Sequence, residues 1–218
     1  MQRATQRSGT KDDVLFLARM GYEASLPPFK ESFWDDLIRP TGTETLAFLE
    51  ELFRQDASNW GNSDDFIILE LNGESSACCA VYRPLENPPS QGPLNLDKVP
   101  KIATTLGWSD TATNAFTAAY QKVWSGDRSF LTPQAEVIIE TVAVVPSARG
   151  HGFGHRLMKA AFERGRTVGA KSIGIMAING NDAAQSLYEK HFEPYATFHG
   201  AYFDHAFPGL TKYRASLA

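Results

Sequence analysis

The N-terminal quarter of the chain carries two stretches with the apolar spacing of an amphipathic helix. Over residues 14–26, apolar side chains recur every three or four positions behind Asp12 and Asp13, whose carboxylates suit a helix start. The prolines at 27–28 must end this helix, because proline cannot continue one. The same spacing returns over about residues 43–56 and predicts a second helix.

Two apolar runs, at residues 66–71 and 75–82, are separated by an Asn-Gly pair. This dipeptide favours a two-residue turn, so the runs predict a β-hairpin. Cys78 and Cys79 lie in the second run, where both faces of the predicted strand are apolar. We therefore expect this strand to be internal to its sheet, with the two thiols on opposite faces.

Residues 84–135 differ in character from their surroundings. The segment opens with several prolines and continues with helix signals at about residues 100–106 and 110–124. We interpret it as a helical insertion, longer than a loop and shorter than a domain. Two roles are open to its aromatic side chains, lining a pocket or packing the insertion onto the body of the protein, and we favour packing. These side chains are Trp108, Phe116, Tyr120 and Trp124.

Strand and helix signals alternate from residue 135 to the end of the chain. The pattern predicts strands and helices in turn, with a Gly-rich turn after the first strand. The predicted elements are a strand over 135–145, a helix over about 152–168, a strand over 172–178, a helix ending at 191, and strands over about 193–198 and 210–215.

Composition excludes several classes of protein. The chain has 218 residues, of which 43% are hydrophobic, and a net charge of −4, which fits one globular domain with a substantial core. The longest nearly apolar stretch, 137–146, is too short to cross a membrane, and no basic run suits nucleic acid. The N-terminus lacks the apolar core of a secretory signal, and the two adjacent cysteines cannot form a disulfide framework. We expect a cytoplasmic protein that binds neither nucleic acid nor a membrane.

A Gly-rich turn between a strand and a helix is the strongest chemical signal. Gly150, Gly152 and Gly154 lead directly into the predicted helix, so the turn offers unpaired N–H groups and the positive end of a helix dipole. These features suit a pyrophosphate. A dinucleotide fingerprint fails because neither register places a third glycine correctly. A P-loop fails because one extra residue precedes Lys171 and a strand follows.

Two motifs in this region occur together and in order. Arg149-x-x-Gly152-x-Gly154 follows Val-x-Val-x-Pro, and residues 181–190 have the pattern Asn-x-x-Ala-x-x-Leu-Tyr-Glu-Lys. Together they resemble the two halves of the acyl-CoA signature of the GNAT superfamily of N-acetyltransferases. The resemblance is strong over residues 136–195, although the usual Gly-Phe after the second motif is replaced by an early His-Phe.

The resemblance implies an α/β fold with a mixed, mostly antiparallel central sheet flanked by helices. Two adjacent parallel strands, holding residues 142–144 and 173–178, would splay apart to admit the pantetheine arm of acetyl-CoA. Residues 1–218 would form a single acetyltransferase domain. Because the insertion at 84–135 lies between the hairpin and the cofactor strand, we expect it to wall or cover the acceptor site. The residues that would bind acetyl-CoA are Val142, Ala143, Val144, Arg149, Gly150, His151, Gly152, Phe153, Gly154, Asn181, Leu187 and Tyr188.

The resemblance also implies direct attack of a neutral amine on the thioester, without a covalent enzyme intermediate. This reaction needs a base, a donor for the developing oxyanion and an acid for the departing thiolate. The backbone N–H of Val144 occupies the donor position. Tyr188 stands where the family commonly keeps its acid, and Leu187 would then face the core.

The base is predicted from strand geometry. Alternate residues from Glu136 to Val144, with Glu140 and Val142 among them, share one face if the alternation is unbroken. Glu140 lies nearest the expected thioester and is our first choice, acting directly or through a water. Glu136, four residues further out, is the second choice.

Other kinds of site fit less well. His199 and His205 lie close in sequence, and His151 and His155 are four residues apart, but no third ligand completes a metal site. We therefore expect no metal. The expected partner is a small-molecule or peptide amine, and the chain is expected to be a monomer or homodimer. Two alternatives remain open: a non-catalytic acyl-CoA-binding or regulatory module, and a transferase for a longer acyl group.

Overall fold

The computed structural model describes residues 4–86, 88, 90–124, 133–199 and 207–218. The strands are β1 Ala4–Ser8, β2 Phe66–Leu71, β3 Glu74–Tyr82, β4 Val137–Val144, β5 Ser172–Ile178, β6 Glu193–His199 and β7 Gly209–Ser216. The α-helices are α1 Val14–Ser25, α2 Phe33–Ile38, α3 Thr45–Arg54, α4 Val99–Leu106, α5 Asp110–Val123, α6 Phe153–Thr167 and α7 Asp182–Tyr188.

The seven strands form one sheet in the order β1-β2-β3-β4-β5-β7-β6. Every neighbouring pair is antiparallel except β4 and β5, which are parallel. The prediction of a mixed, mostly antiparallel sheet flanked by helices is therefore confirmed. The predicted hairpin is also confirmed, and β3 lies inside the sheet between β2 and β4.

Helices cover both faces of the sheet and form two separate apolar cores. Helices α1 to α5 pack on one face, and α6 and α7 pack on the other. Cys78 belongs to the first core and Cys79 to the second, so the two buried thiols lie on opposite faces, as alternation predicts. No helix of the described residues is both long enough and apolar enough to span a membrane.

The parallel strands β4 and β5 separate soon after they begin. They are paired only at Val137 with Ile173 and at Ile138 with Gly174. Beyond these pairs β5 continues along β7, and β4 continues along β3. A gap therefore opens between the C-terminal halves of two adjacent strands, where backbone groups on both sides lack their usual sheet partner.

A β-bulge in β4 lies at the start of this gap. The single residue Cys79 of β3 faces two residues of β4, Thr141 and Val142, and Thr141 has a φ of 54°. An extra residue reverses the faces on which the following side chains lie. Ile139 and Val142 accordingly both pack in the core beside α6, although they are three positions apart.

The expectation that alternate residues from Glu136 to Val144 share one face is therefore wrong. It assumed unbroken alternation, which the bulge at Thr141 interrupts. Glu140 lies before the bulge, on the face opposite to Val142 and Val144.

Two elements have no counterpart in the sequence analysis. Strand β1 is a polar edge strand, held by pairing with β2 and by the Arg7 side chain, which bonds Asp13 at 2.6 Å and Glu70 at 2.6 Å. Helix α2 has only six residues, too few to display a period. Its local signal is the capping box in which Ser32 and Asp35 bond reciprocally to the backbone.

The helices predicted in the segment 84–135 are present as α4 and α5. Their aromatic side chains pack into the core as expected: the Phe116 ring lies 5.3 Å from Phe48 and 5.1 Å from Trp108. The Tyr120 hydroxyl holds the proline-rich opening of the segment, donating to Gln91 O and accepting from Leu94 N, both at 2.8 Å.

The bulge gives a testable prediction, because a β-branched residue at positive φ is strained and glycine is not. We expect Thr141→Gly to be more stable than Thr141→Ala by about 1 kcal/mol in urea unfolding. The matched control is Ala215→Gly in the regular strand β7, which should lower stability by about 0.5–1 kcal/mol. If glycine is also the less stable residue at position 141, the bulge is absent.

Candidate functional site

The gap between β4 and β5 opens into a cavity of about 220 Å³, which we call the central cavity. The two strands supply one wall, and α1, α2 and α3 with the loop that follows supply the other. Helix α7 closes one side with Ala184 and Tyr188. The cavity therefore exists because β4 and β5 do not pair here.

Glu140 contributes a carboxyl group to the wall of the central cavity. Its Oε1 is buried and makes no hydrogen bond within the described residues. Burial raises the pKa of Glu140 to about 8, and a hydrogen bond from the Thr141 backbone opposes this shift only in part. A carboxyl without a neutralising partner, facing a cavity, suits a group that accepts a proton or binds a cation.

Tyr188 lines the same cavity from α7. The side chain is buried, and its ring packs edge-on against Tyr213 at 5.9 Å. Burial first, and then the charge of Glu140, raise the pKa of the Tyr188 phenol well above its ordinary value. The phenol therefore stays protonated, and it lies close enough to Glu140 for the two groups to affect each other.

The backbone N–H of Val144 points toward the gap. Val145 N–H donates to Ser76 O at 2.9 Å, and in an antiparallel ladder successive residues bond to opposite sides. The N–H and C=O of Val144 are therefore turned away from β3. The Val144 carbonyl accepts a hydrogen bond from Arg149 Nε at 3.1 Å, in agreement with this direction.

A second cavity of about 350 Å³ lies at the Gly-rich turn, and we call it the loop cavity. Gly150 and Gly152 have φ values of 79° and 76°, which only glycine adopts without strain, and Gly152 caps the N-terminus of α6. A Cβ at Gly154 would lie 2.9 Å from the Leu187 side chain, so this glycine lets α6 approach α7. The loop cavity is lined by Val144, Ala148, Arg149, Gly150, Gly152, Phe153, Gly154, His155 and Leu187.

The two cavities are neighbours along the same elements. On β4, Val142 lines the central cavity and Val144 lines the loop cavity. On α7, Tyr188 lines the central cavity and Leu187 lines the loop cavity. Between them the cavities bring together most of the residues expected to bind acetyl-CoA. Those residues are Val142, Val144, Arg149, Gly150, Gly152, Phe153, Gly154, Asn181, Leu187 and Tyr188.

Two of the expected residues, Ala143 and His151, line neither cavity. Ala143 packs in the core on the helix α1 side, and the His151 ring lies against its own loop, with Nδ1 3.0 Å from Arg149 O. Leu187 is half-buried: it packs against the core on the α6 side, as expected, and also lines the loop cavity. Tyr188 is buried more deeply, and α7 ends at Tyr188 rather than near residue 191.

Glu136, the second choice of base, lies away from both cavities. It is exposed at the paired end of β4, where its Oε2 accepts a hydrogen bond from Lys171 N at 3.1 Å. The structure thus separates the two candidate bases, and of the two only Glu140 lies at the central cavity.

The histidine pairs in the structure are not the pairs that lie close in the sequence. His155 pairs with His191, with 2.8 Å between their ring nitrogens, and not with His151. His205 and Asp204 lie outside the described residues. No group of three or more His, Cys, Asp or Glu side chains within the described part of the chain could hold a metal ion.

The sequence analysis missed the aromatic wall of the central cavity. Phe33 and Trp34 come from α2, Phe53 from α3, and Trp60 from the loop that follows α3. The capping box of α2 could have predicted this helix, because it directly precedes two adjacent aromatic residues in a polar stretch. From the segment 84–135, Pro93 is the contribution to this wall among the described residues.

Comparisons with known proteins agree with this geometry. Residues 102–193 match the model of the acetyltransferase (GNAT) family, beginning inside the segment set apart as an insertion. A search of curated proteins finds no match. The N-acetyltransferase from Staphylococcus aureus Mu50 is similar in fold, with a TM-score of 0.62 and 16% identity, over 97% of this chain and 100% of that chain.

Two other solved structures have the same fold. The yncA protein from Salmonella typhimurium, solved with its cofactor acetyl-CoA, has a TM-score of 0.53 and 15% identity over 99% of this chain and 94% of that chain. The ribosomal-protein-S18-alanine N-acetyltransferase from Escherichia coli has a TM-score of 0.54 and 13% identity over 99% and 95%. Residues 102–193 thus match a GNAT acetyltransferase domain, and nearly the whole chain shares the fold of these solved acetyltransferases.

Proposed function

We propose that this protein transfers an acetyl group from acetyl-CoA to a primary amine by direct attack. The observation that carries the proposal is the placement of Glu140 and Tyr188 on one cavity, at the gap between β4 and β5 and beside the Gly-rich turn. A proton acceptor and a proton donor thus face the space between two strands whose backbone is free to bind an extended ligand.

The loop cavity suits the phosphates of acetyl-CoA. Gly150, Gly152 and the first turn of α6 supply backbone N–H groups and the positive end of a helix dipole. The unpaired edges of β4 and β5 would bind the amides of the pantetheine arm as an added strand. The acyl end would then lie in the central cavity, and acetyl-CoA would supply the activated acetyl group there.

Burial lets Glu140 accept a proton from an ammonium. In water this transfer is unfavourable, because a carboxyl has a pKa of about 4.3 and an alkyl ammonium about 10.4. The cavity raises the pKa of Glu140 to about 8, and desolvation lowers that of a bound ammonium. The two pKa values approach each other, so a neutral amine can form beside the thioester.

The backbone N–H of Val144, directed into the gap, would donate to the oxyanion that develops on the thioester carbonyl. Tyr188 would then protonate the departing thiolate. Because the pKa of its phenol is raised, Tyr188 stays protonated until the thiolate forms and accepts the proton. A thiolate desolvated in the same cavity is also more basic than in water, which favours this transfer.

The proposal extends to the whole chain. We propose that residues 1–218 act as one acetyltransferase domain and that the segment 84–135 helps to form the acceptor wall through Pro93. The free thiols of Cys78 and Cys79 suit a reducing compartment such as the cytoplasm.

Acetyl-CoA binding is testable by ligand linkage. At about 100 times its dissociation constant, acetyl-CoA should add ~2.7 kcal/mol and raise the thermal midpoint by roughly 5–10 °C. Gly152→Glu should abolish the rise, because a carboxylate would face the phosphates at the helix N-terminus. Gly169→Glu is the matched control: Gly169 has a φ of 71° and an open surround, like Gly152. It lies beyond the other end of α6, so the rise should persist. No rise for the wild type would contradict the proposal.

Glu140→Gln should lower kcat/KM by about 10²-fold while preserving the acetyl-CoA-induced thermal shift. The ratio of wild-type to variant kcat/KM should increase with pH, reach half its maximum near pH 8, where Glu140 loses its proton, and level off only above that pH. The measurement is a pH series of thiol release with one amine. A ratio that is constant with pH, or a variant that keeps a third of the activity, would show that Glu140 is not the base.

Stability provides the folding control for this variant. The pKa of Glu140 is raised above its unfolded value of about 4.5, so the native chain keeps a proton that the unfolded chain releases between pH 4.5 and 8. Wild-type stability should therefore fall over this range through Glu140, and Glu140→Gln should escape that loss. At pH 9 the variant should be at least as stable as the wild type.

Tyr188→Phe should lower kcat by roughly 10²-fold and leave the KM for acetyl-CoA nearly unchanged, because only the proton donor is removed. Tyr213→Phe is the matched control, since Tyr213 is also buried and packs against Tyr188 but does not line the cavity. Equal losses in the two variants would indicate a packing role for Tyr188.

A further inference from the structure

We infer that the acceptor is a primary amine on a compact apolar or aromatic group, with neither a carboxylate nor a second ammonium. This inference rests on the proposed function and narrows it to one class of substrate. It rests on three properties of the central cavity wall: its charged groups, its polar groups and its apolar surface.

The wall offers a single carboxyl group to an ammonium. Among the described residues that line the central cavity, Glu140 is the one Asp or Glu, none is Lys, Arg or His, and the buried Oε1 of Glu140 lacks a hydrogen-bond donor. One ammonium would supply the missing donor. A second ammonium on the same molecule would have to be desolvated without a carboxylate partner, which is strongly unfavourable.

No cation lines the described wall to receive an acceptor carboxylate. Lys212 is the nearest candidate by register, because it pairs with the cavity residue Met176 across β5 and β7. Its Nζ lies 5.4 Å from the centroid of the Phe198 ring, and Lys212 does not line the cavity. An α-amino acid would therefore bury its carboxylate against apolar surface.

Three polar side chains of the wall form hydrogen bonds within the protein. Ser25 Oγ donates to Tyr22 O at 2.6 Å, Ser58 Oγ accepts from Trp60 N at 3.0 Å, and Asn181 Oδ1 caps α7 by accepting from Ala184 N at 3.2 Å.

The rest of the wall is apolar and largely aromatic. Phe33, Trp34, Phe53 and Trp60 face the cavity opposite the β4–β5 gap. Aromatic rings bind an apolar group by burial and stacking, and they attract an ammonium through their negative faces. The space in front of this wall has a volume of about 220 Å³.

The test compares amines of matched skeleton in a thiol-release assay on the full chain with acetyl-CoA. We expect kcat/KM for 2-phenylethylamine to exceed that for L-phenylalanine and for 1,4-diaminobutane by at least about 10²-fold, since each rival buries one unpaired charge. A lysine-containing hexapeptide should be similarly poor, because its polar backbone cannot enter the apolar cavity.

A pair of variants tests the aromatic wall itself. Phe33 and Phe29 are both 38% exposed, and only Phe33 lines the cavity. Phe33→Ala should raise the KM for 2-phenylethylamine by about tenfold without changing that for acetyl-CoA, and Phe29→Ala should change neither. Phe33→Leu should recover part of the loss. Equal effects at both positions would overturn the assignment of this wall.

The outcomes separate this inference from the proposed function. If L-phenylalanine is the better acceptor and Lys212→Met removes that preference, the acceptor carries a carboxylate and the inference is overturned, while acetyl transfer stands. A preference for the diamine or the peptide overturns it in the same way. If acetyl-CoA raises the thermal midpoint and no amine is acetylated, the proposed function itself fails.

Discussion

The early separation of two parallel strands is the constraint on which the site depends. β4 and β5 pair at only two positions and then follow different neighbours, β3 and β7. The bulge at Thr141 bends β4 at the point where the strands part and reverses its faces. The separation of the strands opens the cavity and leaves the N–H of Val144 directed into the gap. The bulge places Glu140 on the face opposite to Val142.

Burial is costly for the groups that do the proposed chemistry. Glu140 keeps an oxygen without a hydrogen-bond partner among the described residues in the cavity wall, and burial raises its pKa to about 8. Near it, Tyr82 also has a buried hydroxyl without a partner among the described residues, and the pKa of Tyr82 is raised by burial and by Glu140. Two cores on opposite faces of the sheet supply the stability that offsets these unfavourable groups. An arriving ammonium would satisfy Glu140 directly, which links substrate binding to proton transfer.

Local signals predicted most of the fold, and long-range pairing decided what they missed. The Asn-Gly turn, the apolar periods of α1 and α6, and the glycines of the turn act within a few residues, so their elements could be predicted. The bulge at Thr141 depends on pairing with Cys79, some sixty positions away, so no local sequence pattern predicts it. The short α2 and the polar β1 lack a period of their own. Because α2 was not predicted, the aromatic wall that it helps to form was not predicted either. The faces of β4 were assigned wrongly because the bulge was not predicted.

The central claim is that Glu140 titrates within the cavity as the group that meets the acceptor ammonium. The most direct measurement is its pKa from carbon NMR of the labelled side-chain carboxyl, assigned by comparison with Glu140→Gln, in the free protein and with coenzyme A and 2-phenylethylamine bound. The account predicts titration near pH 8 in the free protein and a clear downward shift when the ammonium binds. A value near 4.5 that the amine leaves unchanged would place Glu140 in solvent and contradict the account.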